Sequence, residues 1–161
     1  MVAHVRPALR LLILVIAVQL GGCAAEPTPE ERIRELIREA EVAAEARDTG
    51  DVIAFVAEEF RTDQGLARED LRNYLRALFL RYQSVHLLVK VSSIVVTDDR
   101  ATAIVFVAMA GQPLSDDNLL MLRADAHRLE LGLRERDGDW RVETASWRRA
   151  RREDLMGGAS E

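Results

Sequence analysis

The chain has 161 residues, of which 48% are hydrophobic and 5% aromatic, and its formal net charge is −5. That is too short for two ordinary domains and too apolar for a disordered chain. Setting aside residues 1–22, which carry Arg6 and Arg10 but no acid, leaves 139 residues with 20 basic and 27 acidic side chains. A remainder near −7 argues against bulk nucleic-acid binding, which needs clustered cations to release counterions. The single cysteine excludes an intramolecular disulfide framework and a Cys-rich zinc site.

The amino terminus reads as an address. His4, Arg6 and Arg10 form a basic start, and residues 8–20 are almost wholly apolar. The uninterrupted core, residues 11–18, is well short of the roughly 20 residues that span a bilayer as a helix. Gly21, Gly22 and Cys23 follow at once, giving the basic, apolar and small-residue order of a secretory signal. By residue pattern alone this is a cleaved signal with an incidental cysteine, an uncleaved anchor helix, or a lipid-attachment signal. Leu20-Gly21-Gly22-Cys23 closely resembles the lipobox of bacterial lipoproteins. The resemblance implies cleavage between Gly22 and Cys23, a diacylglycerol thioether on Cys23 and acylation of the new amine, commonly by palmitate. Several acyl chains anchor stably where one is marginal. Ala24, in place of Asp, implies forwarding to the periplasmic face of the outer membrane.

Residues 23–29 form the lipidated cysteine and a short tether carrying Pro27 and Pro29. Thr28-Pro29-Glu30-Glu31 predicts a helix start, with Thr28 as cap, Pro29 in the first turn and Glu31 closing a capping box. Ile33, Leu36, Ile37, Ala40 and Ala44 then share one helical face. Asp48-Thr49-Gly50-Asp51 predicts the end of that helix, with Gly50 left-handed and Asp51 capping a second helix over residues 52–60. After a polar link, a third helix is expected over residues 68–82. Its apolar stripe is Leu71, Tyr74, Leu75, Leu78, Phe79 and Tyr82, and Arg68, Arg72 and Arg76 form a solvated row.

From residue 85 the period becomes two. Val85, Leu87, Val89 and Val91 alternate with polar or mixed neighbours, and the slip at Ser92-Ser93 predicts a bulge. Asp98-Asp99-Arg100 is a turn, and residues 101–109 are apolar on both faces, as in a central strand. Residues 111–118 read as a loop. In the next strand Leu129, Leu131 and Leu133 point inward while Arg128, Glu130 and Arg134 point outward. Asp137-Gly138 is a hairpin signal leading to the last strand. Trp140 and Trp147, seven apart, would face opposite sides of a regular strand.

The expected fold class is α+β: three amino-terminal helices packed on a curved antiparallel sheet of about four strands. The helix pair across Asp48-Gly50, the run from Leu71 through Tyr82 into Val85, and the closing Asp137-Gly138-Asp139-Trp140-Arg141-Val142 hairpin carry a resemblance. They are similar to the nuclear transport factor 2-like superfamily, the cystatin-like cone shared with ketosteroid isomerases and polyketide cyclases of the SnoaL type. The organisation expected is a signal over 1–22, the lipidated cysteine and tether over 23–29, the domain over 30–148 and an Arg-rich, then flexible, tail over 149–161. The resemblance implies a pocket at the wide end of the cone and, in many members, dimerisation through the outer sheet face.

An isomerase-like reaction would need an inward carboxylate or imidazole as base and a hydroxyl donor aimed at an enolate oxygen. Asp125 and His127 share the phase of Leu129, and Tyr74 or Tyr82 could supply a phenol. The competing reading places Asp125 and His127 at a solvated strand end and Tyr74 at the core's edge. No phosphate loop, nucleophile elbow or metal-ligand spacing occurs, so no cofactor and no metal are expected. Arg148, Arg149, Arg151 and Arg152 are either a contact for anionic head groups or a solvated tail neutralised by Glu153 and Asp154. The expected function is a lipid-anchored envelope protein acting by binding a protein partner, a second copy or a small apolar ligand, without nucleic acid. An isomerase or cyclase acting in the cone pocket is the alternative, and an adaptor using the sheet face around Lys90, Arg128, Glu130 and Arg134 is a third.

Overall fold

In a computed structural model that describes residues 26–110, 126–151 and 153–154, the chain runs α1 (Pro29–Glu45), α2 (Thr49–Ala54), β1 (Val56–Thr62), α3 (Arg68–Arg81), β2 (His86–Thr97), β3 (Arg100–Ala110), β4 (His127–Arg136) and β5 (Asp139–Arg149). The signal, the Cys23 attachment site, the 111–118 loop and Asp125 lie outside the described residues. Among the described residues no helix is long and apolar enough to cross a membrane.

Helix α1 begins as its sequence predicts. The Thr28 hydroxyl accepts from the Glu31 amide at 3.2 Å, and the Glu31 carboxylate accepts from the Thr28 amide at 2.7 Å. Its end differs from expectation. Arg47, not Gly50, is left-handed (φ 59°), and Asp48, not Asp51, caps α2 by accepting from the Asp51 amide at 3.0 Å. Left-handed backbone disfavours a residue with a Cβ by about 1–2 kcal/mol. The Arg47 guanidinium offsets this by donating to the carbonyls of Phe79 and Tyr82 at 3.3 and 2.9 Å, tying the turn to the end of α3.

The second helix stops at Ala54, and residues 56–62 form a strand instead of more helix. The spacing of Val52, Phe55, Val56 and Phe60 satisfies a helical stripe, but tertiary pairing overrides it. β1 lies parallel to β5, with Val56 opposite Val142 and Thr62 opposite Ala145. The sheet therefore has five strands, in the order β1-β5-β4-β3-β2, with antiparallel pairing everywhere except β1–β5.

Ile33, Leu36 and Ile37 of α1 pack with Val56, Phe60, Ala101, Ala103, Val105, Leu133, Trp140 and Val142 in one buried cluster. The small Ala101 and Ala103 on β3 let α1 sit close to the sheet, and Ile33 and Ala103 are wholly excluded from solvent. β2 bulges between Val91 and Ser93, as the Ser92-Ser93 slip predicts, so Val91 and Ile94 both face the core. The Asp137-Gly138 turn has positive φ at both positions (53° and 87°), the geometry that joins two-residue hairpins.

Two faces differ from expectation. A second register shift, opposite Gly132 and Leu133, inserts an extra residue at Glu143 of β5. It restores the inward phase, so Trp140 and Trp147 lie on the same face, Trp140 opposite Glu135 and Trp147 opposite Leu129. In α3 only Phe79 is buried, whereas Tyr74 is 63% exposed. Nor is Arg68 part of a solvated row. It donates to the carbonyls of Val56 and Ile53 at 3.1 and 3.0 Å and pairs with Glu58, pinning the start of α3 to the α2–β1 junction.

Candidate functional site

Along the inner face of the sheet, burial falls away from the α1 end towards the Ala110, His127 and Arg149 ends of β3, β4 and β5. Ala101, Ala103 and Val105 are sealed, but the next inward residue, Val107, is half-exposed, as are its cross-strand neighbour Val89 and the Leu87–Met109 pair. On β4 and β5 the corresponding pair is Leu129 and Trp147, with Trp147 40% exposed. Among the described residues these form a partly exposed apolar patch on the inner face. Its chemistry suits an apolar guest, because covering it removes hydrocarbon and an indole ring from water.

His127 stands at the edge of this patch, opposite Val107 on β3 and Arg149 on β5, and is exposed. Tyr74 and Tyr82 sit on or just beyond α3, and no hydrogen bond joins either phenol to His127 among the described residues. Asp125 lies outside the described residues. Among the described residues, the fold brings His127 together with this apolar patch. No group of three or more metal-ligating side chains occurs among the described residues. The inner placement of Trp147 was hidden in sequence because it depends on the Glu143 bulge, for which only the small Ala145 and Ser146 give a faint hint.

The outer face mixes ion pairs with apolar side chains, among them Ile104 and the exposed Val95. Arg128 pairs with Glu130 at 3.0 Å, and Arg134 reaches Asp99 and Glu143 at 3.6 and 3.5 Å. Thr102, Gly132 and Thr144 form one row across β3, β4 and β5. At the end of β5, Arg148 is held as well. Arg148 grips Asp154 with both guanidinium nitrogens at 2.7 Å, and the Asp154 carboxylate also accepts from the Arg151 amide at 2.8 Å. The Arg148 hydrogen bonds, then that amide, hold the Asp154 carboxyl far below the ordinary carboxylate range.

Solved structures share this architecture. A domain of unknown function with a cystatin-like fold from Nostoc punctiforme is 17% identical; the match covers 81% of this chain and 84% of that one, with a TM-score of 0.62. A candidate scytalone dehydratase from Novosphingobium aromaticivorans is 10% identical over 74% of this chain and 83% of its own, with a TM-score of 0.58. An NTF2-like protein of unknown function from Pseudomonas putida is 19% identical over 71% and 82%, with a TM-score of 0.55. No family profile and no curated relative matches the chain. The likeness defines the fold: an α+β cone of the NTF2-like, cystatin-like type. Fold of this kind does not fix activity.

Proposed function

We propose that the protein is a lipid-anchored component of the bacterial cell envelope, held through Cys23, whose cone works by binding. The single observation that carries the binding part is the half-exposed apolar wall of Val107, Leu129 and Trp147 on the inner face. The anchor rests on the lipobox-like Leu20-Gly21-Gly22-Cys23. The guest of the cone is a small apolar molecule or an apolar side chain of an envelope partner. The periplasmic face of the outer membrane is the proposed location.

Two measurements test this reading. Growth with radiolabelled palmitate should label the full chain and leave Cys23→Ala unlabelled; equal labelling of both would remove the anchor. Titration with the apolar dye Nile red should show saturable binding that Leu129→Asp weakens by roughly tenfold, since a charge in an apolar site forfeits the transfer energy. Unchanged dye affinity would remove the cone as the binding site.

A second reading has one observation in its favour, the structural likeness to a candidate scytalone dehydratase. In it the cone houses isomerase, cyclase or dehydratase-type chemistry, with Asp125 or His127 as base and Tyr74 as donor. Turnover of a ketone substrate by the purified protein, abolished by Asp125→Asn, would establish it over the binding reading.

A further inference from the structure

At the opposite end of β5 from Trp147 lies a concave feature. A groove of about 440 Å³ runs between α1, the end of α2 and the β4–β5 hairpin, with Leu36, Ala54 and Phe55 contributing apolar lining. It adjoins a hollow of about 370 Å³ between α1 and α2, with which it shares Glu39, Ala54 and Phe55. Val42, 55% exposed, extends the apolar strip. The two hollows meet along the α1–α2 side, so a guest spanning both would contact residues from Pro27 to Ala46.

The polar groups along this groove are unequally satisfied. Arg32 is engaged by Glu135 at 2.5 Å and by the Gly138 carbonyl, Arg38 by Glu35, and Arg141 by Asp139. Glu39 and Asp51 make no close ion pair among the described residues, although Glu39 lies within the field of Arg38. The two linings hold five carboxylates against three guanidiniums, a net negative charge that attracts cations and repels anions. At the hairpin end, Trp140 is 5% exposed and its indole N–H has no acceptor; the Nε–H of Arg32 also lacks one. A buried donor without an acceptor costs about 1–3 kcal/mol, and because both atoms are closed to solvent that cost belongs to the packing of α1 on the hairpin.

We infer that this groove docks an extended, basic peptide segment of a partner protein. Apolar side chains of the segment lie on Leu36, Phe55 and Val42. Its Lys or Arg residues meet Glu39 and Asp51. Peptide recognition in an apolar groove with charge-matched walls is a recurring mode. Anionic lipid head groups are excluded by the same charge. The inference is independent of what the cone binds, since the two surfaces sit at opposite ends of the sheet.

The test is selection of a phage-displayed library of random short peptides on the full chain in mild detergent, followed by affinity measurement of the enriched peptides. Enriched sequences should pair Lys or Arg with apolar residues. Their affinity should fall roughly tenfold in the Glu39→Gln/Asp51→Asn double variant and at raised salt. Both positions are exposed and outside the core, so the variant keeps its fold, which circular dichroism checks. Acidic or purely apolar selections, no selection at all, or affinities indifferent to the double variant would each overturn the inference.

Discussion

Gly132 faces Thr144 across β4 and β5 with almost no clearance: a Cβ on Gly132 would lie 2.3 Å from the Thr144 hydroxyl oxygen. Gly132→Ala should therefore lower stability by about 1–3 kcal/mol in urea melts, the usual cost of overpacking. Adding Thr144→Ala should recover most of the loss, because the next atom is at an ordinary 3.6 Å. Equal stability of both variants would show that the threonine is not the obstacle. Arg68 is the second telling residue. Its fork spans the Ile53 and Val56 carbonyls, so Arg68→Ala should cost about 2 kcal/mol and Arg68→Lys should restore only part of it, since one ammonium cannot reproduce the fork. From sequence, Arg68 looked like one member of a solvated row with Arg72 and Arg76. Nothing in a periodicity of four reveals that the α2–β1 junction leaves two carbonyls in its reach.

Elements whose signals are local were legible, and those set by distant pairing were not. The Thr28-Glu31 capping box, the Ser92-Ser93 bulge and the Asp137-Gly138 hairpin each depend on residues within a few positions, and each forms as expected. β1 depends on β5, more than 80 residues away, while its own apolar spacing fits a helix equally well. The same limit governed the site. The phase of His127 with Leu129 was readable from alternation, but the inward turn of Trp147 required the Glu143 bulge, and the exposure of Tyr74 required knowing how little of α3 packs. Phe60, 1% exposed on β1, carries the strand assignment: Phe60→Ala should cost about 3–5 kcal/mol in thermal or denaturant unfolding. The segment after β5 offers a pH test. Because its Arg148 partner lowers the Asp154 carboxyl in the folded state, the contact is fully present above the ordinary carboxylate range and is lost as pH falls through the depressed value. The Asp154 carboxyl resonance should stay in its ionised position well into acid, and Arg148→Gln should return its titration to the ordinary range.

Across the whole molecule, the two tryptophans mark two surfaces on one inner-facing strand: Trp140 buried beside an acidic groove, Trp147 half-open on an apolar wall. Pro27 lines the groove at the hairpin end, four positions after Cys23. With an extended chain advancing at most about 3.6 Å per residue, an anchor at Cys23 would hold that groove within roughly 15 Å of the bilayer surface. Such an arrangement fits a binder working close to a membrane, with the cone carried on the same rigid sheet. One measurement reads anchor and guest together: native mass spectrometry of the protein extracted from the envelope in mild detergent. The expected spectrum shows a chain that starts at Cys23 and carries diacylglycerol and acyl mass, with a noncovalent adduct that Leu129→Asp removes. A chain without lipid mass, and with no adduct in either form, would contradict the proposal that this protein is an anchored binder.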